Sequence, residues 1–337
     1  MDLSTRYLGL QLRNPLVASA SPLGRSADGV RRLAEGGVGA VVLPSLFEEE
    51  LVQAADRHAS LAEVGSESFA EALSYFPDPG EASSETPRRY LNLVERARSV
   101  VEIPIIASLN GASPGGWTNY AAQVEGAGAA AVELNLYSAP LDPNTSGRDV
   151  EQRHLEIVGL VKDKVSVPVA VKLSPYYSSI GDMASRLVDA GADGLVLFNR
   201  FLHPDVDVER LQVISGFGLS HPAEGRLVRT WIALLCRRLR ANLAASTGVE
   251  DGDDLVRNLL VGADVVMTTS ALLRHGPEYA RFLLDELEAW MGRKGFGLVG
   301  EFRGLLAVEP GGDETLRERT GYVTELQVSN MNLEGPW

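Results

Sequence analysis

Short apolar runs recur along the chain, each set off by a glycine that closes a helical pattern. Gly37-Val38-Gly39-Ala40-Val41-Val42-Leu43 is one such unit. Gly126-Ala127-Gly128-Ala129-Ala130-Ala131-Val132, Gly191-Ala192-Asp193-Gly194-Leu195-Val196-Leu197 and Gly262-Ala263-Asp264-Val265-Val266-Met267 repeat it. Glycine ends a helix because it accepts the left-handed conformation, and the apolar run behind it suits a strand buried on both faces. Further buried-strand candidates lie between these units: Pro15-Leu16-Val17-Ala18, Pro104-Ile105-Ile106-Ala107, Pro168-Val169-Ala170-Val171 and Ala241-Asn242-Leu243-Ala244. Helical patterns over 182–190, 251–261 and 277–290 alternate with them. All-apolar strands alternating with helices predict a parallel sheet covered on its outside, and eight such units fit a (β/α)8 TIM barrel better than a doubly wound sheet.

Three segments leave this rhythm. Residues 3–13 alternate polar and apolar around Gly9, which predicts an N-terminal hairpin under the barrel bottom. Residues 46–88 read as a long insertion after strand two, rich in Glu, Ser and Pro, and so long a loop is usually functional or mobile. Residues 309–337 show little periodicity. The expected organisation is one barrel over 1–308 followed by a C-terminal tail.

Composition narrows the function classes. Lys and Arg total 31 against 45 Asp and Glu, a net charge of −14. That disfavours nucleic acid and anionic membranes as partners, since both select for concentrated positive charge. No apolar run reaches the length of a spanning helix, and residues 1–6 do not open like a signal peptide, so a cytoplasmic setting is expected. The single cysteine, Cys236, leaves no intrachain disulfide and no Cys-rich metal site. His58, His154, His203, His221 and His275 lack metal-ligand spacing, so no metal is expected. Gly216-Phe217-Gly218 lacks the third glycine of a dinucleotide fingerprint, and no G-x-S-x-G elbow occurs.

Barrel chemistry sits at the C-terminal strand ends. Strands seven and eight end in Ser246-Thr247-Gly248 and Thr268-Thr269-Ser270, small residues whose backbone N–H groups can approach an anion. Plain helix capping would use the same residues. Lys172 closes the apolar run Val169-Ala170-Val171, and a lysine so placed needs an anion or a carboxylate partner. Asn110, Asn135 and Asn199 also end apolar runs. Each can cap a loop; together they offer the alternating donors and acceptors that suit a flat heterocycle.

These residues carry a resemblance. Glu133-Leu134-Asn135-Leu136-Tyr137-Ser138, Val171-Lys172-Leu173-Ser174-Pro175, Asn199, Ser246-Thr247-Gly248 and Thr269-Ser270 together resemble the dihydroorotate dehydrogenase family of FMN-dependent barrels over nearly the whole chain, closest to its bacterial dihydroorotate dehydrogenase-like branch. The resemblance implies FMN held by Ser21, Asn110, Asn135, Lys172, Asn199, Thr247, Gly248, Thr269 and Ser270. It implies Ser138 as catalytic base, Lys172 beside the flavin, and substrate contacts from Asn135, Asn199 and Arg200. It also implies an oxidoreductase of CH–CH bonds, converting dihydroorotate to orotate in pyrimidine biosynthesis, with a redox protein or an NAD-linked acceptor taking the electrons. A homodimer is expected.

The pyrimidine half departs from the family. Its strand-two lysine is Pro44 here, the asparagine two positions after the base is Pro140, and the small hydroxyl residue after Asn199 is Arg200. The family's orotate-holding segment is not recognisable in 64–82. A different substrate therefore stays open. So do two other classes: a flavin-binding accessory protein without dihydroorotate activity, and a non-flavin barrel that binds a phosphorylated metabolite.

Overall fold

Eight short parallel strands close on themselves, each fully or largely buried because helices cover the outside and side chains fill the lumen. The structure is a computed structural model of the chain and describes residues 1–48, 85–111, 117–136, 142–200, 205–214, 218–311 and 320–324. In chain order the elements are β1 (Thr5–Tyr7), β2 (Leu10–Leu12), β3 (Leu16–Ala18), α1 (Ala27–Gly36), β4 (Ala40–Phe47), α2 (Glu85–Val100), β5 (Ile105–Asn110) and α3 (Trp117–Gly126). There follow β6 (Ala131–Asn135), α4 (Gly147–Lys162), β7 (Val169–Lys172), α5 (Ile180–Asp189), β8 (Gly194–Leu197), β9 (Asp205–Asp207) and β10 (Gln212–Ile214). The chain continues through α6 (Gly225–Leu235), β11 (Asn242–Ser246), α7 (Gly252–Leu260), β12 (Val265–Thr268), α8 (Ser270–His275) and α9 (Tyr279–Lys294). The barrel runs β3-β4-β5-β6-β7-β8-β11-β12 and closes β12 onto β3.

The expected barrel and its strand positions are therefore present. The glycine punctuation has its predicted cause: Gly37 caps α1 with φ +117° and returns its N–H to Ala34 and Leu33, and the same left-handed turn recurs at Gly128, Gly191 and Gly262. The N-terminal hairpin is also present, with Thr5 paired to Leu12 and Tyr7 to Leu10. It plugs the barrel bottom. Tyr7, Leu8 and Leu12 pack against lumen residues such as Val17, Ile106 and Val196, and the Leu8 N–H donates to Asn242 Oδ1 at 2.8 Å.

The limits of the insertion need correction. Strand two does not end at Pro44-Ser45 but runs on to Phe47, and helix α2 begins at Glu85, so 46–47 and 85–88 belong to regular elements. Residues 49–84 lie outside the described residues, as does most of 309–337. The strand extends through Pro44 because the register against β5 shifts between Val42 and Ser45. At such a bulge a proline removes no ladder bond. A small antiparallel hairpin, β9 with β10, stands between β8 and α6. The sequence pattern did not predict it.

Candidate active site at the barrel mouth

A cavity of about 1320 Å³ opens where the strands end. The eight strand termini converge there, so residues distant in sequence share one wall. Ser21, Lys172, Asn199, Arg200, Thr247, Thr269 and Ser270 all line it. Asn110, Asn135 and Gly248 do not, and Ser138 and Pro140 fall outside the described residues.

Two loops and a third segment form a cradle of small residues. Thr247 takes φ +86° and Gly248 φ +71°, which turns the chain sharply after β11. A Cβ on Gly248 would lie 2.5 Å from Gly225 N and 3.0 Å from His221 O. Gly248 thus lets the loop after β11 press backbone to backbone on the segment leading into α6. The Thr247 hydroxyl donates to Phe198 O at 3.3 Å, and that of Thr269 to Ser19 O at 3.1 Å. These bonds tie the two loops to the ends of β8 and β3. From the third segment, Ser220 bonds Ser270 Oγ through both its N–H and its hydroxyl at 2.9 Å. Gly218, Leu219 and Ser220 also line the cavity. Sequence reading missed their role, although a glycine and serine run ahead of the His221-Pro222 helix start carries the same signal as the loops it did find.

The opposite wall is polar and built around serines. Asn135 donates to Ser108 Oγ at 2.7 Å and Ser45 Oγ at 3.2 Å, and those hydroxyls lie 2.9 Å apart. Asn135 thereby ties the ends of β4, β5 and β6 together, and Ser45 is the member of this network that reaches the cavity. Asn110 ends β5 buried, in register with Asn135. The Tyr90 hydroxyl reaches from α2 into the bulged β4–β5 gap, accepting from Ser108 N at 2.8 Å and donating to Ser108 O at 3.1 Å. It satisfies the two backbone groups that the register shift leaves without ladder partners.

Charge is placed unevenly. Lys172 is half-buried on the cavity floor. Beneath the mouth, Glu133 is wholly buried in the lumen, and burial raises its carboxyl pKa above the ordinary range against the pull of Lys172. Arg200 follows the wall: its Nε lies 3.2 Å from Glu224 Oε1 and its guanidinium donates to Gly218 O. That fork braces the third cradle segment. On α2, Arg88, Asn92 and Arg96 recur at four-residue spacing and line the outer rim with Arg25. No group of three or more potential metal ligands occurs among the described residues, and no described helix is long and apolar enough to cross a membrane.

The donor set fits FMN. Hydroxyl and glycine loops supply an anion cradle, a lysine stands on the floor, and the volume exceeds the roughly 300–1,000 Å³ of common ligand sites, leaving room for a flat cofactor and a small substrate together. Comparison with known proteins agrees with this geometry. A model of the family described as "Dihydroorotate dehydrogenase" matches residues 2–291. The catalytic subunit of dihydroorotate dehydrogenase B (NAD(+)) from Methanothermobacter thermautotrophicus is 32% identical over 311 residues, covering 90% of this chain and 98% of the relative. Chloroplastic dihydropyrimidine dehydrogenase (NADP(+)) of Arabidopsis thaliana is 26% identical over 328 residues, covering 90% of this chain and 76% of the relative.

Proposed function

The chain belongs to the dihydroorotate dehydrogenase family, and on that premise we propose that it is an FMN-dependent oxidoreductase acting on the CH–CH bond of a small cyclic substrate. The observation that carries this reading is the cradle after β11 and β12 facing Lys172 across one cavity. Bound there, FMN would supply a hydride acceptor. Ser220, Thr247, Thr269, Ser270 and the backbone at Gly218 would hold its phosphate, with Gly248 packing the turn behind them against Gly225. Lys172 would stand by the ring, where a cation favours the anionic reduced form. Asn199, whose backbone N–H donates to Leu173 O at 2.7 Å, is held with its side chain on the cavity wall and would orient ring or substrate. Ser138 would take the substrate proton, with water or a neighbour as relay, since a serine alone is a weak base.

The substrate half supports a narrower statement. Pro44 offers neither charge nor donor where the family has a lysine, and Arg200 is engaged by Glu224 and Gly218 rather than free to replace it. Each unpaired polar group on a buried substrate costs about 1–3 kcal/mol, so we propose weak dihydroorotate oxidation and a different preferred substrate of related ring chemistry. The relatives named above differ in this same respect, one being named for dihydroorotate and the other for dihydropyrimidines. Their names also carry NAD(+) and NADP(+), which supports a nicotinamide-linked partner for the electrons.

Anaerobic titration of the purified protein tests both parts. A flavin absorption spectrum is expected, with slow or incomplete bleaching by dihydroorotate. A colourless protein after reconstitution with FMN would overturn the cofactor assignment. Rapid bleaching with tight dihydroorotate binding would overturn the altered substrate.

A further inference from the structure

The lumen holds a carboxyl group that neither the cradle nor the serine network uses. Glu133 stands on β6 two residues below Asn135, with Ser108 and Ala170 as register partners on either side and no solvent exposure. Neither carboxyl oxygen has a hydrogen-bond partner among the described residues. The Asn135 amide lies close enough to favour the anion, but its N–H groups point to Ser108 and Ser45. The titratable groups facing Glu133 come from three other elements: Lys172 on β7, Tyr90 on α2 and Tyr7 from the basal hairpin. Burial holds both tyrosines well above their ordinary pKa, so neither exchanges a proton with Glu133 near neutrality. Tyr90 and Lys172 both line the cavity and both feel Glu133, and Lys172 is the cation of the group.

A carboxylate sealed in a barrel without donors carries a large desolvation cost. It escapes that cost by keeping its proton or by drawing the ammonium group of Lys172 towards it. The two states present different charge to the mouth. A neutral Glu133 leaves Lys172 uncompensated beneath the cavity; an ionised Glu133 cancels it.

We propose that Glu133 is the positioning residue that sets how much positive charge Lys172 presents to the cavity, so that an anion at the mouth is held strongly while Glu133 is protonated and weakly once it ionises. The inference rests on the reading of the mouth as a flavin site, where that anion is the reduced ring. The switch is a proton transfer alone: the Glu133 O–H bond breaks as the proton passes to solvent with rising pH and re-forms as pH falls, and no heavy-atom bond changes.

The test compares flavin-loaded wild type, Glu133→Gln and Lys172→Met by flavin midpoint potential against pH. Wild type is expected to lose potential more steeply with rising pH through the range in which Glu133 ionises. Glu133→Gln, permanently neutral, is expected to match wild type at the acid end and to lack the extra slope. Lys172→Met is expected to lie below wild type at the acid end, with the extra slope displaced to higher pH. Identical pH profiles for wild type and Glu133→Gln would overturn the proposal. Infrared pH-difference spectra supply a readout that needs neither flavin nor a folded glutamine variant. The wild-type spectrum should contain a buried protonated carboxyl whose titration moves to higher pH in Lys172→Met, because the lysine favours the anion. Absence of that band, or an unmoved titration, would overturn the coupling. Loss of flavin from all three proteins would instead fail the cofactor assignment, and the infrared titration would still decide on Glu133.

Discussion

His154 shows how much a single buried ring can weigh on the pH response. It sits on α4 with Nδ1 2.8 Å from the Tyr177 hydroxyl and its ring edge-on to that tyrosine. Burial, with a smaller push from Arg153, lowers its pKa from 6.5 to about 4. A depressed folded-state value means that the unfolded chain takes up the proton first. The stability His154 contributes is therefore complete above pH 6.5 and lost as pH falls toward 4. The shift corresponds to up to roughly 3 kcal/mol. His154→Gln is expected to flatten the fall in Tm over that window, and thermal melts of both proteins at stepped pH check it. At this scale Lys172 was legible in the sequence, because a cation closing an apolar run has few structural uses. Tyr90 was not, because a tyrosine within a helical pattern reads as ordinary core.

Among the elements, β4 is the one whose course depends on its neighbours. Its bulge admits Pro44, and Tyr90 repairs the backbone pairing that the bulge breaks. Tyr90→Phe leaves the buried Ser108 N–H and C=O without that partner, at a cost of about 1–3 kcal/mol. Urea denaturation is expected to show the lower midpoint with an unchanged slope. The loop after β11 depends on close contact in the same way. Gly248→Leu would drive a side chain into Gly225 and His221, part the two cradle segments and release FMN. Flavin content per protein after purification measures it, and a full complement would place the phosphate elsewhere. The β9–β10 hairpin escaped prediction for a related reason. Its cross-strand pair Val206 and Val213 is exposed at 61% and 69%, so no core-facing alternation marks its strands.

For the whole molecule, stability and chemistry occupy opposite ends of one barrel. The basal hairpin seals the bottom with Tyr7 and Leu12, while the cavity opens at the other end, among strand termini and the helix α2 residues beside them. Leu12→Ala should therefore cost about 2–5 kcal/mol of folding stability and leave flavin affinity within a factor of two or so of wild type. A thermal melt beside a flavin titration separates the two effects; equal loss in both would mean the plug shapes the mouth. Against a net charge of −14, the cavity gathers the cations Arg25, Arg88, Arg89, Arg96, Lys172 and Arg200.

The sequence by itself determined the alternation of strands and helices, the closed parallel barrel, the basal hairpin and most residues of the cradle. Each of these follows from short-range causes: apolar runs that must be buried on both faces, glycines that accept a left-handed turn, small polar residues at strand ends. What only the tertiary structure decided is how those strand ends share their groups. Asn135 turns inward to bind Ser45 and Ser108, Arg200 turns along the wall to Glu224, and Glu133 is left beneath Lys172 without a hydrogen-bond partner among the described residues. A side chain at a strand end can face the lumen, a neighbour or the cavity at little local cost. The choice is made by partners brought close only when the barrel closes.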